Sequence, residues 1–131
     1  MTADPLAEYG LAEPEEQMGL INDRIPQSWE EWRVAKALWA LDVDFHFQVS
    51  IQGGAMGIRG GQVLDFLLFT PFPVPAQVFG EYWHKGELNS EERMKLAVIE
   101  QVYQHEAYLW WGKDLETDEE ALQTVKEDLR L

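Results

Sequence analysis

The chain has 131 residues, 46% of them hydrophobic, with six tryptophans and no cysteine. That fits a single globular domain with a real core and excludes disulfides and thiolate metal sites. Its 24 acids against 10 bases give a net charge of −14, which weighs against tight, unaided DNA binding, because a non-specific nucleic-acid binder carries a basic face. The excess is uneven: residues 1–27 hold six acids and one base, residues 114–131 seven acids and two bases, and residues 28–113 eleven acids and seven bases. The middle is therefore only mildly acidic.

Residues 1–27 are broken by Pro5, Gly10, Pro14, Gly19 and Pro26, so they are predicted to be an acidic extended arm outside the folded domain. Two states of the arm stay open, a disordered tail and an arm lying on a partner subunit. The domain proper is predicted over 28–131. Ser28-Trp29-Glu30-Glu31 is a capping box, in which the serine accepts from the Glu31 backbone and the Glu31 carboxylate reaches back. Trp32, Ala35, Leu38 and Trp39 then recur at helical spacing to about Leu41.

From Val43 to Ile51 apolar and polar residues alternate, which predicts a half-buried strand. Gly53, Gly54, Gly57, Gly60 and Gly61 predict a hairpin connection; they lack the spacing of a phosphate loop or a dinucleotide fingerprint. Gln62 to Phe69 is apolar on both faces and suits a central strand. One carboxylate, Asp65, interrupts it, and a carboxylate there is costly unless paired, hydrogen-bonded or on a metal. Pro71, Pro73 and Pro75 predict a stiff loop, and Ala76 to about His84 a third strand. Ser90 is expected to cap a helix running to about Tyr103, followed by a short aromatic strand over Ala107–Trp111. Thr117-Asp118-Glu119-Glu120 is a second capping box opening a last helix.

The order helix, strand, strand, strand, helix, strand, helix predicts an α/β sandwich with a mixed sheet. With its motifs, it resembles the PD-(D/E)XK nuclease-like superfamily, nearest to the very-short-patch repair endonucleases. The motifs are short, and their order over about Trp29 to Leu131 carries the likeness. Glu31-Trp32 is similar to the acidic-aromatic pair of the first helix. Phe47-Gln48, Gly53-Gly54 and Gly60-Gly61 are similar to the hairpin, and Val63-Leu64-Asp65-Phe66 to the strand bearing the metal aspartate. Gly80-Glu81-Tyr82-Trp83-His84 is similar to the end of the third strand, and Ala107–Leu115 to the closing strand and its acidic-leucine pair.

The resemblance implies a restriction-endonuclease-like fold, with a mixed sheet of about four strands between helices. It also implies Mg²⁺ or Mn²⁺ as cofactor and DNA as substrate. Asp65 and Gln77 are the implied metal positions, and Asp65, Gln77, Glu31 and His84 the implied catalytic set. The chain departs from the pattern where acid-x-lysine should stand, because it reads Gln77-Val78-Phe79. The branch's zinc cysteines and strand hydroxyl are missing too. Lys85 and Lys95 are nearby candidates for the lysine.

Each residue has a plainer reading as well. Asp65 is either a metal ligand or a relic held by backbone amides or by Arg59. Glu31 completes a capping box, Gln77 is a strand amide, and His84 packs with Tyr82 and Trp83 unless it does acid-base work near pH 7. His46 and His105 read as surface or packing residues, and Trp110-Trp111 as core rather than a base-stacking platform. Two functions therefore stay open. One is an endonuclease with weakened or lost activity. The other is a silent nuclease-fold module that assembles with a protein partner or its own copies through residues 1–27, as in a phage particle. No apolar run reaches the length of a membrane span, and MTADPLAEYG lacks the regions of a signal peptide. The expected location is intracellular (cytoplasmic) or virion-associated, with no membrane contact.

Overall fold

The computed structural model describes residues 16–51, 62–80 and 83–131. The glycine-rich connection with Arg59, the Glu81-Tyr82 pair and the first fifteen residues of the arm lie outside them. The elements run α1 (Trp29–Ala40), β1 (Asp44–Ile51), β2 (Gln62–Phe69), β3 (Pro73–Phe79), α2 (Ser90–Tyr103), β4 (Tyr108–Trp111), a 3-10 turn (Gly112–Asp114) and α3 (Asp118–Leu129). The strands form one sheet in the order β1-β2-β3-β4. β1–β2 and β2–β3 are antiparallel and β3–β4 is parallel, so the sheet is mixed.

Local chemistry sets the helix ends. Ser28 Oγ accepts from Glu31 N and Thr117 Oγ1 from Glu120 N, both at 3.1 Å, as the capping boxes predict. The Glu31 carboxylate reaches back one residue further than expected, to Gln27 N at 2.7 Å. The second helix is capped by Asn89, whose Oδ1 accepts from Glu92 N, so its cap lies one residue before Ser90. α2 and α3 end on left-handed Gln104 and Arg130.

Two apolar layers sandwich the sheet. Val34, Ala35, Ala37 and Leu38 of α1 and Ala121 and Val125 of α3 cluster with Phe45, Phe47, Phe66, Leu68, Ala76 and Trp110. On the other face, Ile99 of α2 packs with Ile51, Leu64 and Leu67, and Leu96 with Phe79 and Trp111. Each fully buried aliphatic or aromatic side chain of this set contributes about 1.5–3 kcal/mol. Trp110 is fully buried and donates through Nε1 to Asp128 Oδ2 at 2.8 Å, which satisfies its one polar group. Trp110 and Trp111 are thus core residues.

The third strand corrects the sequence expectation at both ends. It starts at Pro73 and stops at Phe79, well before His84. Val78 N points at β2, where it reaches the Asp65 carboxylate. By strand alternation, positions 73 and 75 point the other way, and pairing with β4 begins only at Ala76. The missing N–H groups of Pro73 and Pro75 therefore leave no gap in the ladder. The stiff turn is shorter than expected and carries a cis Thr70–Pro71 peptide.

The later part of the arm packs on its own domain. Ile21 is fully buried in the α1/α3 layer. Asn22 Nδ2 donates to Phe45 O and Arg24 Nη1 to Gln48 O along β1. Lys36 Nζ pairs with Glu16 at 2.6 Å. Residues 16–27 thus line α1 and β1. No helix among the described residues is long and apolar enough to cross a membrane.

Candidate functional site

The sheet's regular alternation fails at one row. In β1, Phe47 joins the α1/α3 layer but Val49 and Ile51 join the α2 layer. In β2, Leu64 belongs to the α2 layer and Phe66 to the α1/α3 layer. The faces change places at Gln48 and Asp65, which stand opposite each other between the paired Phe47↔Phe66 and Val49↔Leu64. Gln48 takes a left-handed φ of 55°, a strained value for a side chain other than Gly, Asn or Asp. Leu64 and Leu67 are thus buried in the α2 layer, and Phe66 and Leu68 in the α1/α3 layer.

At the same row β2 and β3 stop exchanging backbone hydrogen bonds. Their regular pairing ends at Phe66↔Ala76, and side chains take over. Asp65 N donates to Gln77 Oε1 at 2.7 Å, and Val78 N donates to Asp65 Oδ2 at 2.8 Å. Asp65 Oδ1 makes no hydrogen bond among the described residues. Asp65 is thereby fixed by the backbone, and it lines a cavity of about 480 Å³. That cavity is also lined by Gln48, Gln62, Gln77, Trp83, Glu92 and Lys95. Among the described residues Gln62 Oε1 is buried without a partner, although Gln62 Nε2 donates to Lys95 O at 3.1 Å.

Burial pushes the Asp65 carboxyl up from its ordinary 3.8 to about 7, and the nearby Glu31 and Glu92 carboxylates add to the rise against the lowering pull of Val78 N–H. A carboxyl held this high beside two other carboxylates is a site short of positive charge. Lys95 supplies part of it, sitting 3.6 Å from Glu92 and 3.7 Å from Glu91.

The four residues the sequence singled out are only partly gathered. Asp65 and Gln77 meet directly. Gln77 is a poor metal ligand because its oxygen already holds the Asp65 backbone N–H. Glu31 is buried, spends one oxygen on Gln27 N, and acts on Asp65 through its charge; burial raises its own carboxyl as well. His84 does not reach Asp65. With β3 ending at Phe79, the chain turns at Gly80, whose carbonyl accepts from Trp83 N. The turn carries His84 to a separate cavity with Arg33, Lys85 and Lys113, and Trp83 lines both cavities.

Glu92 was not foreseen, because nothing in its spacing ties the first turn of a helix to a strand 27 residues earlier. Among the described residues no group of three or more His, Asp or Glu is placed to hold a metal ion. The donors of the Asp65 cavity are hard oxygens, two carboxylates and several amides, and that set suits Mg²⁺, which takes one or two carboxylates and keeps its waters. In comparisons with known proteins, no family model, no curated protein and no solved structure matches this chain.

Proposed function

We propose that the chain is a restriction-endonuclease-like domain that hydrolyses phosphodiesters with Mg²⁺ or Mn²⁺ at Asp65, with weakened activity. One observation carries this reading: Asp65 is fixed at the break between β2 and β3 and faces a cavity that also holds Glu92 and Lys95. Glu92 takes the place of the second acid that Gln77 cannot supply, and Lys95 that of the cation missing at Phe79. Asp65 Oδ1 and the Glu92 carboxylate would hold the ion. A bound divalent ion polarises the phosphodiester and lowers the pKa of a water. Gln77 and Val78 position Asp65 through its backbone and carboxylate. Lys95 stabilises negative charge that gathers beside Glu92.

Plasmid nicking by purified protein with Mg²⁺ or Mn²⁺ tests the proposal. Asp65→Ala abolishes the nicking, and Glu92→Gln cuts it at least tenfold. Cutting that survives Asp65→Ala overturns the site.

A second reading, a silent nuclease-fold module, is favoured by the structural employment of Asp65 Oδ2 and Gln77 Oε1 on backbone amides. In that case Asp65→Ala changes stability and nothing else.

A further inference from the structure

The chain has only 10 Lys and Arg against 24 acids, yet three of the ten converge on one cavity. Arg33, Lys85 and Lys113 line a space of about 630 Å³ together with His84, Trp83, Glu30 and Glu116. Three permanent cations line it against two carboxylates, Glu30 and Glu116, and a third carboxylate, Asp114, pairs with Lys85 from just outside the lining. In the Asp65 cavity Arg24 and Lys95 balance Asp65 and Glu92. The cavities by Lys85–Asp128 and Thr70–Arg130 carry more acids than lysines and arginines.

The three cations are held in different ways. Arg33 Nη1 donates to Leu115 O at 2.9 Å, and its guanidinium carbon stands 6.0 Å from the centre of the Trp29 ring. One arm of the fork is thus anchored to the backbone while other donors stay available. Lys85 Nζ pairs with Asp114 at 2.9 Å but is 55% exposed, so an incoming anion can compete for it. Lys113 is exposed and makes no ion pair among the described residues. His84 adds a ring nitrogen able to hydrogen-bond.

Trp83 lines both this cavity and the one holding Asp65. It is half-buried and packs edge-on against Phe79 at 5.5 Å, so its position is set from the core. A cationic hollow beside a partly open indole matches the two needs of a nucleic-acid strand, charge for the phosphate and a face for the base.

We propose that the Arg33–His84–Lys85–Lys113 cavity binds a backbone phosphate of a nucleic-acid strand, with Trp83 against the adjoining base and the next phosphate directed toward Asp65. This deepens the nuclease reading and rests on it for the direction of the strand. It also answers the net charge of −14, since binding needs local cations at the contact rather than a basic protein.

The test separates binding from hydrolysis. Anisotropy of a short fluorescein-labelled single-stranded DNA is measured with Asp65→Ala protein in EDTA at low salt, where no cutting occurs. Lys113→Glu is expected to weaken binding about tenfold and to reduce the salt slope by about one. Lys126→Glu, the same charge change at an exposed site on α3, is expected to leave affinity within about twofold. Inorganic phosphate at millimolar concentration is expected to compete.

Equal losses in the two lysine variants assign binding to overall charge and overturn the proposal. Absence of DNA binding overturns it as well. Phosphate that shifts tryptophan fluorescence in this protein but not after Trp83→Phe, without any DNA binding, overturns the nucleic-acid source. Loss of Mg²⁺ binding at Asp65 with DNA binding intact removes the nuclease reading and leaves this cavity standing.

Discussion

The charge state of Asp65 gives a stability prediction that does not depend on catalysis. In the folded chain its carboxyl is held near 7 instead of 3.8. A carboxyl raised on folding favours the fold when protonated, and that stability is lost as pH climbs from the unfolded value through the folded one. The interval sets a ceiling of about 4 kcal/mol on the cost of ionising Asp65 at about pH 8. Asp65→Asn removes the charge and keeps an oxygen that can accept from Val78 N–H. The variant should therefore be more stable than the parent by about 2–4 kcal/mol at about pH 8, and by about 2 kcal/mol less at about pH 5.5. For a domain of this length the larger figure corresponds to a Tm rise on the order of 10 °C. Urea unfolding of both proteins from about pH 5.5 to about pH 8.5, clear of the isoelectric region near 4.4, measures the gap. A gap that stays constant with pH, or a variant less stable than the parent at about pH 8, refutes the reasoning.

Gln77→Ala leaves the Asp65 backbone N–H without its acceptor and should cost about 1–3 kcal/mol in urea unfolding; an unchanged midpoint contradicts the side-chain bridge between β2 and β3. Gln77→Glu places a second acid beside Asp65, so calorimetry should show tighter Mg²⁺ binding and a metal-free protein that is less stable. Thr117→Ala removes the α3 cap and should cost about 1 kcal/mol, read as a lowered Tm. Trp110→Phe leaves the Asp128 carboxylate without its donor and opens space in the α1/α3 layer; a loss of about 2–3 kcal/mol is expected, and a loss under about 1 kcal/mol contradicts the packing.

The residues that announce themselves locally were legible in the sequence. Ser28 and Thr117 begin helices because their side chains cap backbone N–H groups within three residues, and Gln62–Phe69 has the bounds its composition predicts. The misread parts depend on neighbours distant in sequence. Pro73 and Pro75 look like loop residues until β4 is seen to pair only from Ala76. The end of β3 at Phe79, with the chain turning at Gly80, decides that His84 parts from Asp65; Gly80 is the local sign of it, outweighed in the sequence by the aromatic residues that follow. Gln77 reads as a strand amide, and it is one, but what it bonds is the backbone of Asp65. The run Leu64-Asp65-Phe66-Leu67-Leu68, apolar at both parities, reports a strand covered on both faces, and the break in the ladder leaves no trace in it beyond Asp65 itself. The arrival of Glu92 and Lys95 at that break follows from packing of α2, which sequence spacing does not encode.

Calorimetric titration of Mg²⁺ into the parent protein and Asp65→Ala at about pH 7.5 tests the Asp65 site most directly. One Mg²⁺ site is expected in the parent, with a buffer-dependent heat because a carboxyl titrating near 7 releases part of a proton on binding, and no site in Asp65→Ala. A parent protein that binds no Mg²⁺, or an Asp65→Ala variant that binds it equally well, contradicts the assignment.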